Sequence, residues 1–96
     1  MDDNLKIEIH LEKGYFSMHL EEIEIGQMTF YFPESNVMLI DHAEVDFKYN
    51  GKGYARRMVA FAVDYARKNK LKIIPVCPYV KREFAKNETY ADVLKS

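Results

Sequence analysis

The first third of the chain alternates apolar and polar residues with a period of two, as β-strands with one buried face do. The alternation is regular over residues 5–12, 15–20 and 27–32. Lys13-Gly14 and the Pro-Glu-Ser-Asn segment at residues 33–36 have the composition of turns. We therefore predict three consecutive strands joined by turns, with their apolar faces directed to one core.

Aromatic and histidine residues in these strands are expected to differ in burial. The core is predicted to contain four phenylalanines: Phe16, Phe30, Phe32 and Phe61. His10 and His19 flank the first hairpin, and we expect them to lie near each other and to face solvent. Two histidines without a third ligand do not make a metal site, so the sequence predicts no metal.

The pattern changes from Val37 onward. Residues 37–40 (Val-Met-Leu-Ile) are apolar on both faces, which is typical of a strand inside a covered sheet. After a loop at residues 50–53, apolar residues recur at intervals of three and four from Ala55 to Ala66. This spacing predicts an amphipathic helix.

The predicted helix is expected to stop at Asn69 in a left-handed conformation. Residues 71–77 then indicate another buried strand. A strand, a helix and a second strand in this order predict a right-handed crossover between parallel strands. The remaining residues predict a short helix around Val80 and Phe84, and a final turn capped at Thr89.

Length, charge and cysteine content narrow the class of protein. With 96 residues the chain has room for one domain, and we predict a single α/β (α+β) domain over residues 1–96. The net charge of −1 argues against a nucleic-acid partner. No apolar run approaches the ~18 residues that a membrane span needs, so we expect no membrane partner. The single cysteine, Cys77, cannot form an internal disulfide, which favours a cytoplasmic location.

The segment from Asn50 to Arg57 (Asn-Gly-Lys-Gly-Tyr-Ala-Arg-Arg) lies between a predicted strand and a helix N-terminus. Helix N-termini present N–H groups and a partial positive charge, which suit a phosphate or pyrophosphate. Gly51 can adopt positive φ, and Gly53 lets an anion approach the backbone. A plain strand-to-helix turn is the structural alternative. A nucleotide triphosphatase loop is excluded because no Gly-Lys-Ser/Thr follows, and a dinucleotide fold needs a longer chain.

The predicted order of elements resembles that of the GNAT superfamily of N-acetyltransferases. It consists of three meandering strands, a fourth strand running into this loop, a helix and a parallel fifth strand. The family pattern of Arg or Gln, two residues, Gly, one residue, and Gly or Ala falls on Asn50, Gly53 and Ala55, with Asn50 in place of Arg or Gln. The segments 41–45 (Asp-His-Ala-Glu-Val) and 74–80 (Ile-Pro-Val-Cys-Pro-Tyr-Val) resemble a short stand-alone subgroup with a Pro-x-Cys-x-aromatic segment.

The resemblance implies a GNAT-like fold with a pyrophosphate loop, a central helix and short C-terminal helices. It implies transfer of an acetyl group from acetyl-CoA to an amine acceptor. The implied coenzyme-binding residues are Val45, Gly51, Lys52, Gly53, Tyr54, Ala55 and Arg56. In the family the fourth and fifth strands splay apart, and the backbone near Val45 would pair with the pantetheine arm.

Three residues are candidates for the chemistry: Cys77, His42 and Tyr79. Cys77 can act as a nucleophile or as an acid for the departing thiolate, or it can be a small buried core residue. His42 can act as a base or proton relay, assisted by Glu44, or it can make a structural hydrogen bond. Tyr79 can protonate the thiolate, as a tyrosine after the fifth strand does in many relatives.

Two other classes of function remain open at the level of the sequence. One is a non-catalytic acyl-CoA-binding or regulatory module, and the other is an interaction protein in which the glycine loop is architectural. Only 19 residues follow Cys77, so we expect an open acceptor site that suits a small molecule, a peptide or a protein. The expected assembly is a monomer or a weak dimer.

Overall fold

The computed structural model describes residues 4–95 and contains a five-stranded sheet with the order β1-β2-β3-β4-β5. The strands and helices are β1 (Leu5–His10), β2 (Tyr15–Leu20), β3 (Ile23–Glu34), β4 (Val37–Val45), α1 (Tyr54–Lys68), β5 (Lys72–Pro75) and α2 (Pro78–Lys86). Two 3₁₀ helices, Phe47–Tyr49 and Glu88–Val93, precede α1 and follow α2. Strands β1 to β4 pair antiparallel, and β5 pairs parallel with β4. The predicted GNAT-like arrangement of meander, loop, central helix and parallel fifth strand is therefore confirmed.

The core lies between the apolar face of the sheet and α1. The helix buries most of the residues predicted from its periodicity, together with Tyr54 and Val63: Tyr54, Met58, Val59, Ala62, Val63 and Ala66. Ala55, the first residue of the predicted series, is only partly buried. The sheet contributes Phe16, Met18, Met28, Met38 and Ile40, each fully buried. A buried side chain of this size stabilises the fold by about 1.5–3 kcal/mol. This packing fixes the start of α1 relative to the end of β4.

A β-bulge interrupts the pairing of β3 with β4. Thr29 pairs with His42, but the next residue, Phe30, pairs with Ile40, so Asp41 is an extra residue in β4. An extra residue of this kind reverses the alternation of side chains along the bulged strand. Before the bulge the even-numbered side chains of β4 face the core, and after it the odd-numbered ones do.

The parallel pairing of β4 with β5 ends early. Its last pair is Ile40 with Pro75, and the N–H groups of Val76 and Cys77 then both donate to the carbonyl oxygen of Ile40, at 3.0 Å each. Strand β4 continues for five more residues, to Val45. The two strands therefore diverge at their C-terminal ends, and β5 is shorter than the predicted 71–77.

The end of α1 differs from the prediction by one residue. Asn69 has a φ of −109°, whereas Lys70 adopts the left-handed conformation with a φ of 58°. The N–H of Leu71 donates to the carbonyl of Ala66 at 2.8 Å, and the N–H of Lys70 donates to Arg67. These two bonds form a Schellman motif, whose left-handed residue lies one position after the cap. The prediction placed this conformation on the cap itself.

The final 3₁₀ helix confirms the predicted turn but not its cap. The cap is Asn87, two residues before the predicted Thr89.

Three side chains of the meander also differ from their predicted environments. Phe32 is 37% exposed because the β3–β4 register shifts again between Tyr31 and Glu34, which carries this end of β3 beyond the core. His10 and His19 do lie near each other, but each is only partly exposed. Their Nε2 atoms lie 2.9 and 3.0 Å from the hydroxyl of Ser17, which is buried.

Candidate functional site

A cavity of about 700 Å³ opens where the end of β4, the glycine loop, the first turn of α1 and the start of α2 meet. Its lining residues are Ala43, Glu44, Val45, Tyr49, Asn50, Gly51, Lys52, Gly53, Tyr54, Ala55, Arg56 and Tyr79. All seven residues predicted to bind the coenzyme are among them. One wall of the cavity is therefore formed by the end of β4, and the other is formed by the glycine loop and the N-terminus of α1.

The two glycines of the loop are required by its backbone conformation. Gly51 and Gly53 have φ angles of 79° and 83°. A Cβ added at either position would meet nothing within 4 Å, so steric space does not select glycine here. The left-handed conformation does, because it costs other residues about 1–2 kcal/mol. The open space above both glycines leaves their backbone accessible from the cavity.

The first turn of α1 gives this wall of the cavity a positive character. Gly53 is the N-cap and has no side chain with which to cap the first N–H groups. The first intrahelical bond runs from the N–H of Arg57 to the carbonyl of Gly53, at 3.1 Å. Lys52 and Arg56 flank this turn and are both exposed. Exposed cations and a helix N-terminus together favour an anionic group at this position.

The end of β4 forms the opposite wall with its backbone. The N–H of Asp46 donates to the carbonyl of Ile25 in β3 at 2.6 Å. Backbone groups of successive strand residues point to opposite neighbours, so those of Ala43 and Val45 point away from β3. They point to the side from which β5 has diverged. An extended ligand in this slot can therefore pair with β4 as an additional strand would.

Tyr79, in the first turn of α2, is the predicted catalytic residue that lines the cavity. Burial raises the pKa of Tyr79 above its usual value, and the charge of Glu83 adds to this. Arg56 and Arg82 act in the opposite direction, and the guanidinium of Arg82 lies 5.6 Å from the centre of the ring. The hydroxyl is therefore protonated at neutral pH.

His42 lies beside the cavity rather than in its lining. Its Nε2 atom is 3.1 Å from the Oε1 atom of Glu44, and the two side chains are 60% and 68% exposed. Glu44 itself lines the cavity. The structure thus links His42 to the site through a neighbouring carboxylate, on the side of β4 that faces away from the core.

Cys77 is the N-cap of α2, directly after the divergence of β5. It is 4% exposed and packs in the hydrophobic core. The lining of the cavity, as found among residues 4–95, does not include it. Its backbone N–H helps to end the β4–β5 pairing, as described above.

Glu83 is a feature of the site that the sequence did not suggest. Its side chain is 2% exposed, and its Oε1 atom lies 3.8 Å from the Nε atom of Arg56. A charged residue in a short helix is ordinarily placed on the solvent side. The available signal was its spacing, since Glu83 lies three residues after Val80 and next to Phe84, on the arc predicted to be buried.

The described residues define two further properties of the chain. Within residues 4–95, no helix is long and apolar enough to cross a membrane. The same range contains no group of three or more His, Cys, Asp or Glu side chains arranged to hold a metal ion.

A family model described as GCN5-related N-acetyl-transferase matches residues 15–93 of the chain. This match spans all the strands except β1, the glycine loop and both α-helices. The chain therefore belongs to the GCN5-related N-acetyltransferase family, and by this membership it is an acyltransferase. A search of curated proteins found no match.

Solved structures support the same assignment. The solution structure of a GCN5-like protein from Staphylococcus aureus has 29% identity and a TM-score of 0.77, and the alignment covers 98% of this chain and 91% of that one. Two crystal structures share the fold at lower identity. The ribosomal-protein-alanine N-acetyltransferase of Brucella melitensis biovar Abortus 2308 has 22% identity, a TM-score of 0.60 and coverage of 85% and 61% of the two chains. The N-acetylglutamate synthase of Neisseria gonorrhoeae, in complex with coenzyme A and N-acetyl-glutamate, has 20% identity, a TM-score of 0.62 and coverage of 83% and 21%.

Proposed function

We propose that the chain transfers an acetyl group from acetyl-CoA to an amine acceptor. The observation that carries this proposal is the cavity, which joins a helix N-terminus flanked by Lys52 and Arg56 to a diverging strand edge. A pyrophosphate suits the first feature, and an extended amide-containing arm suits the second. Acetyl-CoA carries both groups in one molecule, in the order in which the cavity presents their sites.

The pyrophosphate is placed at the loop formed by residues 50–53 and the start of α1. Backbone N–H groups of this turn would donate to its oxygens, and Lys52 and Arg56 would supply charge-assisted contacts. The pantetheine arm is placed along β4, where it would pair with the backbone of Ala43 and Val45. The coenzyme A in the Neisseria synthase, which has the same fold, is consistent with a ligand of this kind.

The reaction requires three events at the thioester. The amine nitrogen forms a bond to the carbonyl carbon, the C–S bond breaks, and the sulfur leaves as a thiolate that takes a proton. We assign that proton to the Tyr79 hydroxyl, because this residue lines the cavity and stays protonated. We assign the proton released by the amine to His42, whose bond to Glu44 connects it to the same cavity.

Cys77 has two possible roles in this reaction. A covalent acetyl-cysteine would require its sulfur to reach the thioester, whereas direct attack by the amine needs only a preserved shape at the divergence of β5. The low exposure of Cys77 favours the second role. Cys77→Ala distinguishes the two, since loss of the nucleophile abolishes turnover and loss of a small core side chain does not.

The coenzyme assignment is tested by calorimetric titration of acetyl-CoA into the wild type, Gly53→Asp and Gly53→Asn. Asp and Asn have the same shape, and both tolerate positive φ better than other residues with side chains. We expect saturable binding to the wild type and weaker binding to both variants. The aspartate should cost about tenfold more affinity than the asparagine, because a carboxylate at this position repels the pyrophosphate.

Any of three results contradicts the proposal. A folded wild-type protein that does not bind acetyl-CoA removes the coenzyme assignment. Equal affinity of Gly53→Asp and Gly53→Asn places the anion elsewhere. Tight binding without consumption of acetyl-CoA, across a panel of small amines, peptides and proteins, would identify the non-catalytic module instead.

A further inference from the structure

The side chain of Glu83 is a buried carboxylate next to the proposed coenzyme site. Ser17 and Glu83 are the buried polar or charged residues of the described range, and Glu83 is the one that bears a charge. It lies on the inner face of α2, one turn after Tyr79. Its position places a negative charge behind the wall of a cavity whose proposed ligand is also negative.

Burial of a carboxylate is unfavourable unless other groups compensate its charge. The partners of Glu83 come from two helices and from the residue after α2. The Nε atom of Arg56 in α1 lies 3.8 Å from its Oε1 atom, and the Nζ atom of Lys86 lies 3.6 Å from its Oε2 atom. The side-chain amide of Asn87 donates to it at 3.5 Å, and its charge contributes to the raised pKa of Tyr79.

These distances are long for charge-assisted hydrogen bonds, which are about 2.7–2.9 Å. The ion pairs are therefore not short hydrogen bonds, but they place two cationic side chains next to the buried carboxylate. Two of the residues around Glu83 also belong to the cavity. Arg56 and Tyr79 both line the cavity, and they belong to different helices.

Arg56 is the partner whose conformation the contact with Glu83 affects most. The side chain of Arg56 is 65% exposed, so few other contacts restrict it. A flexible arginine loses conformational freedom when it binds an anion, and an anchor that orders it in advance reduces this loss. The carboxylate of Glu83 lies against the Nε end of the guanidinium.

We propose that Glu83 is a positioning residue, which holds Arg56 against the cavity wall so that its guanidinium is ordered before the coenzyme phosphates arrive. The inference rests on the proposed binding of acetyl-CoA. Glu83 does not contact the coenzyme and acts only through the arginine.

The direction of the effect separates positioning from simple electrostatics. If Glu83 acted only as a nearby negative charge, its neutralisation would tighten the binding of an anionic coenzyme. If Glu83 positions Arg56, its neutralisation weakens binding. Glu83→Gln keeps the shape of the side chain and removes the charge, so this substitution distinguishes the two cases by the sign of the change in Kd.

The test is a double-mutant cycle on the affinity for acetyl-CoA, measured by calorimetry on the wild type, Glu83→Gln, Arg56→Ala and the double variant. We expect Glu83→Gln to raise Kd about 3- to 10-fold, as the loss of one ordered side chain does. In the Arg56→Ala background the same substitution should change Kd by less than about twofold, because the residue through which it acts is gone. A merely structural role for Glu83 would weaken binding equally in both backgrounds.

The outcomes separate this inference from the proposed function. Absence of binding to the wild type removes both. Binding to the wild type with an unchanged or lower Kd in Glu83→Gln, or with equal losses in the two backgrounds, overturns the positioning role alone. If Glu83→Gln does not fold, as judged by circular dichroism, Glu83→Asp tests the same contact, because it keeps the charge and withdraws the carboxylate from Arg56. This variant is compared in the wild-type and Arg56→Ala backgrounds, and we expect a higher Kd in the first and a change of less than about twofold in the second. Equal changes in the two backgrounds would contradict the inference.

Discussion

At the scale of single residues, the site depends on two glycines that allow a left-handed backbone and on a tyrosine whose surroundings favour its neutral form. Gly51 and Gly53 are held at positive φ with open space above them. Tyr79 is held in its neutral form by burial and by the adjacent Glu83. The loop conformation leaves the backbone of both glycines accessible to the proposed pyrophosphate, and the tyrosine keeps the proton that the proposed reaction uses. The first property requires glycine, and the second is strengthened by the burial of the tyrosine.

The proposed acid role of Tyr79 predicts how its removal changes the kinetics. Tyr79→Phe removes the hydroxyl and keeps the ring, so the Kd for acetyl-CoA should change little. The turnover number should fall by about 10²-fold, the usual contribution of a general acid. An acid must be protonated, so activity falls as the pH rises through its pKa. The raised pKa of Tyr79 places this fall above pH ~10 in the wild type.

The measurement is release of free CoA thiol in the presence of an amine acceptor, as a function of pH. Tyr90→Phe is a matched control, because Tyr90 packs against Phe84, with ring centres 5.5 Å apart, and does not line the cavity described. We expect its turnover to match the wild type. A turnover number for Tyr79→Phe within twofold of the wild type would show that another group, or water, protonates the thiolate.

At the scale of elements, the C-terminal 3₁₀ helix is attached to the end of α1 by a two-point ion pair. The Nε atom of Arg67 lies 2.9 Å from the Oδ2 atom of Asp92, and its Nη2 atom lies 3.0 Å from the Oδ1 atom. The same guanidinium donates to the carbonyl of Thr89, and Lys72 donates to the carbonyl of Asp92 at 2.6 Å. Side chains from α1 and β5 thus hold the last helical turn against the body of the fold.

This attachment predicts a stability that depends on pH in a defined direction. The hydrogen bond and charge of Arg67 lower the pKa of Asp92 below its usual value of 3.8. A carboxyl with a lowered pKa in the folded state stabilises the fold above its unfolded pKa, and this contribution is lost as the pH falls through the folded pKa. Arg67→Ala should therefore lower the thermal midpoint at pH 7. Its difference from the wild type should narrow below pH ~4.

The control is Lys68→Ala, on the same helical turn. Lys68 forms an exposed pair with Asp64 at 3.2 Å, and pairs of this kind contribute little to stability. We expect its midpoint to stay close to that of the wild type at both pH values. A midpoint of Arg67→Ala that equals the wild type at pH 7, or a difference that does not change with pH, would contradict the assigned role.

Most elements could be predicted because their signals are local. The periodicity of residues 55–66 marks α1, and the alternation of residues 5–20 marks the first hairpin. The bulge at Asp41 could not be predicted, since it depends on how β4 is paired with β3 rather than on the identity of the bulged residue. The Schellman motif at Lys70 was missed for a related reason, because asparagine, the usual non-glycine choice for that conformation, stands one position earlier.

At the scale of the whole molecule, the site combines a contiguous segment with contributions that only tertiary structure supplies. Residues 50–56 could be predicted as candidates from the sequence because one segment carries the glycines and the cations together, and all of them line the cavity. Ala43 and Glu83 could not, because an alanine in a strand and a glutamate in a helix have no distinctive signal. They become part of the site through the divergence of β5 from β4 and through the packing of α2 on α1.

Because the glycine loop and the slot along β4 belong to different elements, we predict that a substitution can impair one without impairing the other. The loop should bind the phosphate end of the coenzyme, and the slot along β4 should bind the pantetheine arm. Ala43 lies in the wall of the slot and packs against the edge of the core, so Ala43→Phe should obstruct the arm. We expect its Kd for acetyl-CoA to rise about tenfold or more. Its Kd for 3′-phospho-ADP, which has the pyrophosphate but no arm, should change by less than about twofold.

Ala60→Phe provides the matched control, since Ala60 is exposed on α1 and the same bulk is added outside the cavity. It should bind both ligands as the wild type does. Equal losses for acetyl-CoA and 3′-phospho-ADP in Ala43→Phe would mean that the substitution distorts the loop, so that slot and loop are not separable. Unchanged affinity for acetyl-CoA would place the arm elsewhere, and the diverging strand edge would then lose its proposed purpose. The selective loss is expected because the slot wall belongs to β4, whereas the phosphate site belongs to the glycine loop and the first turn of α1.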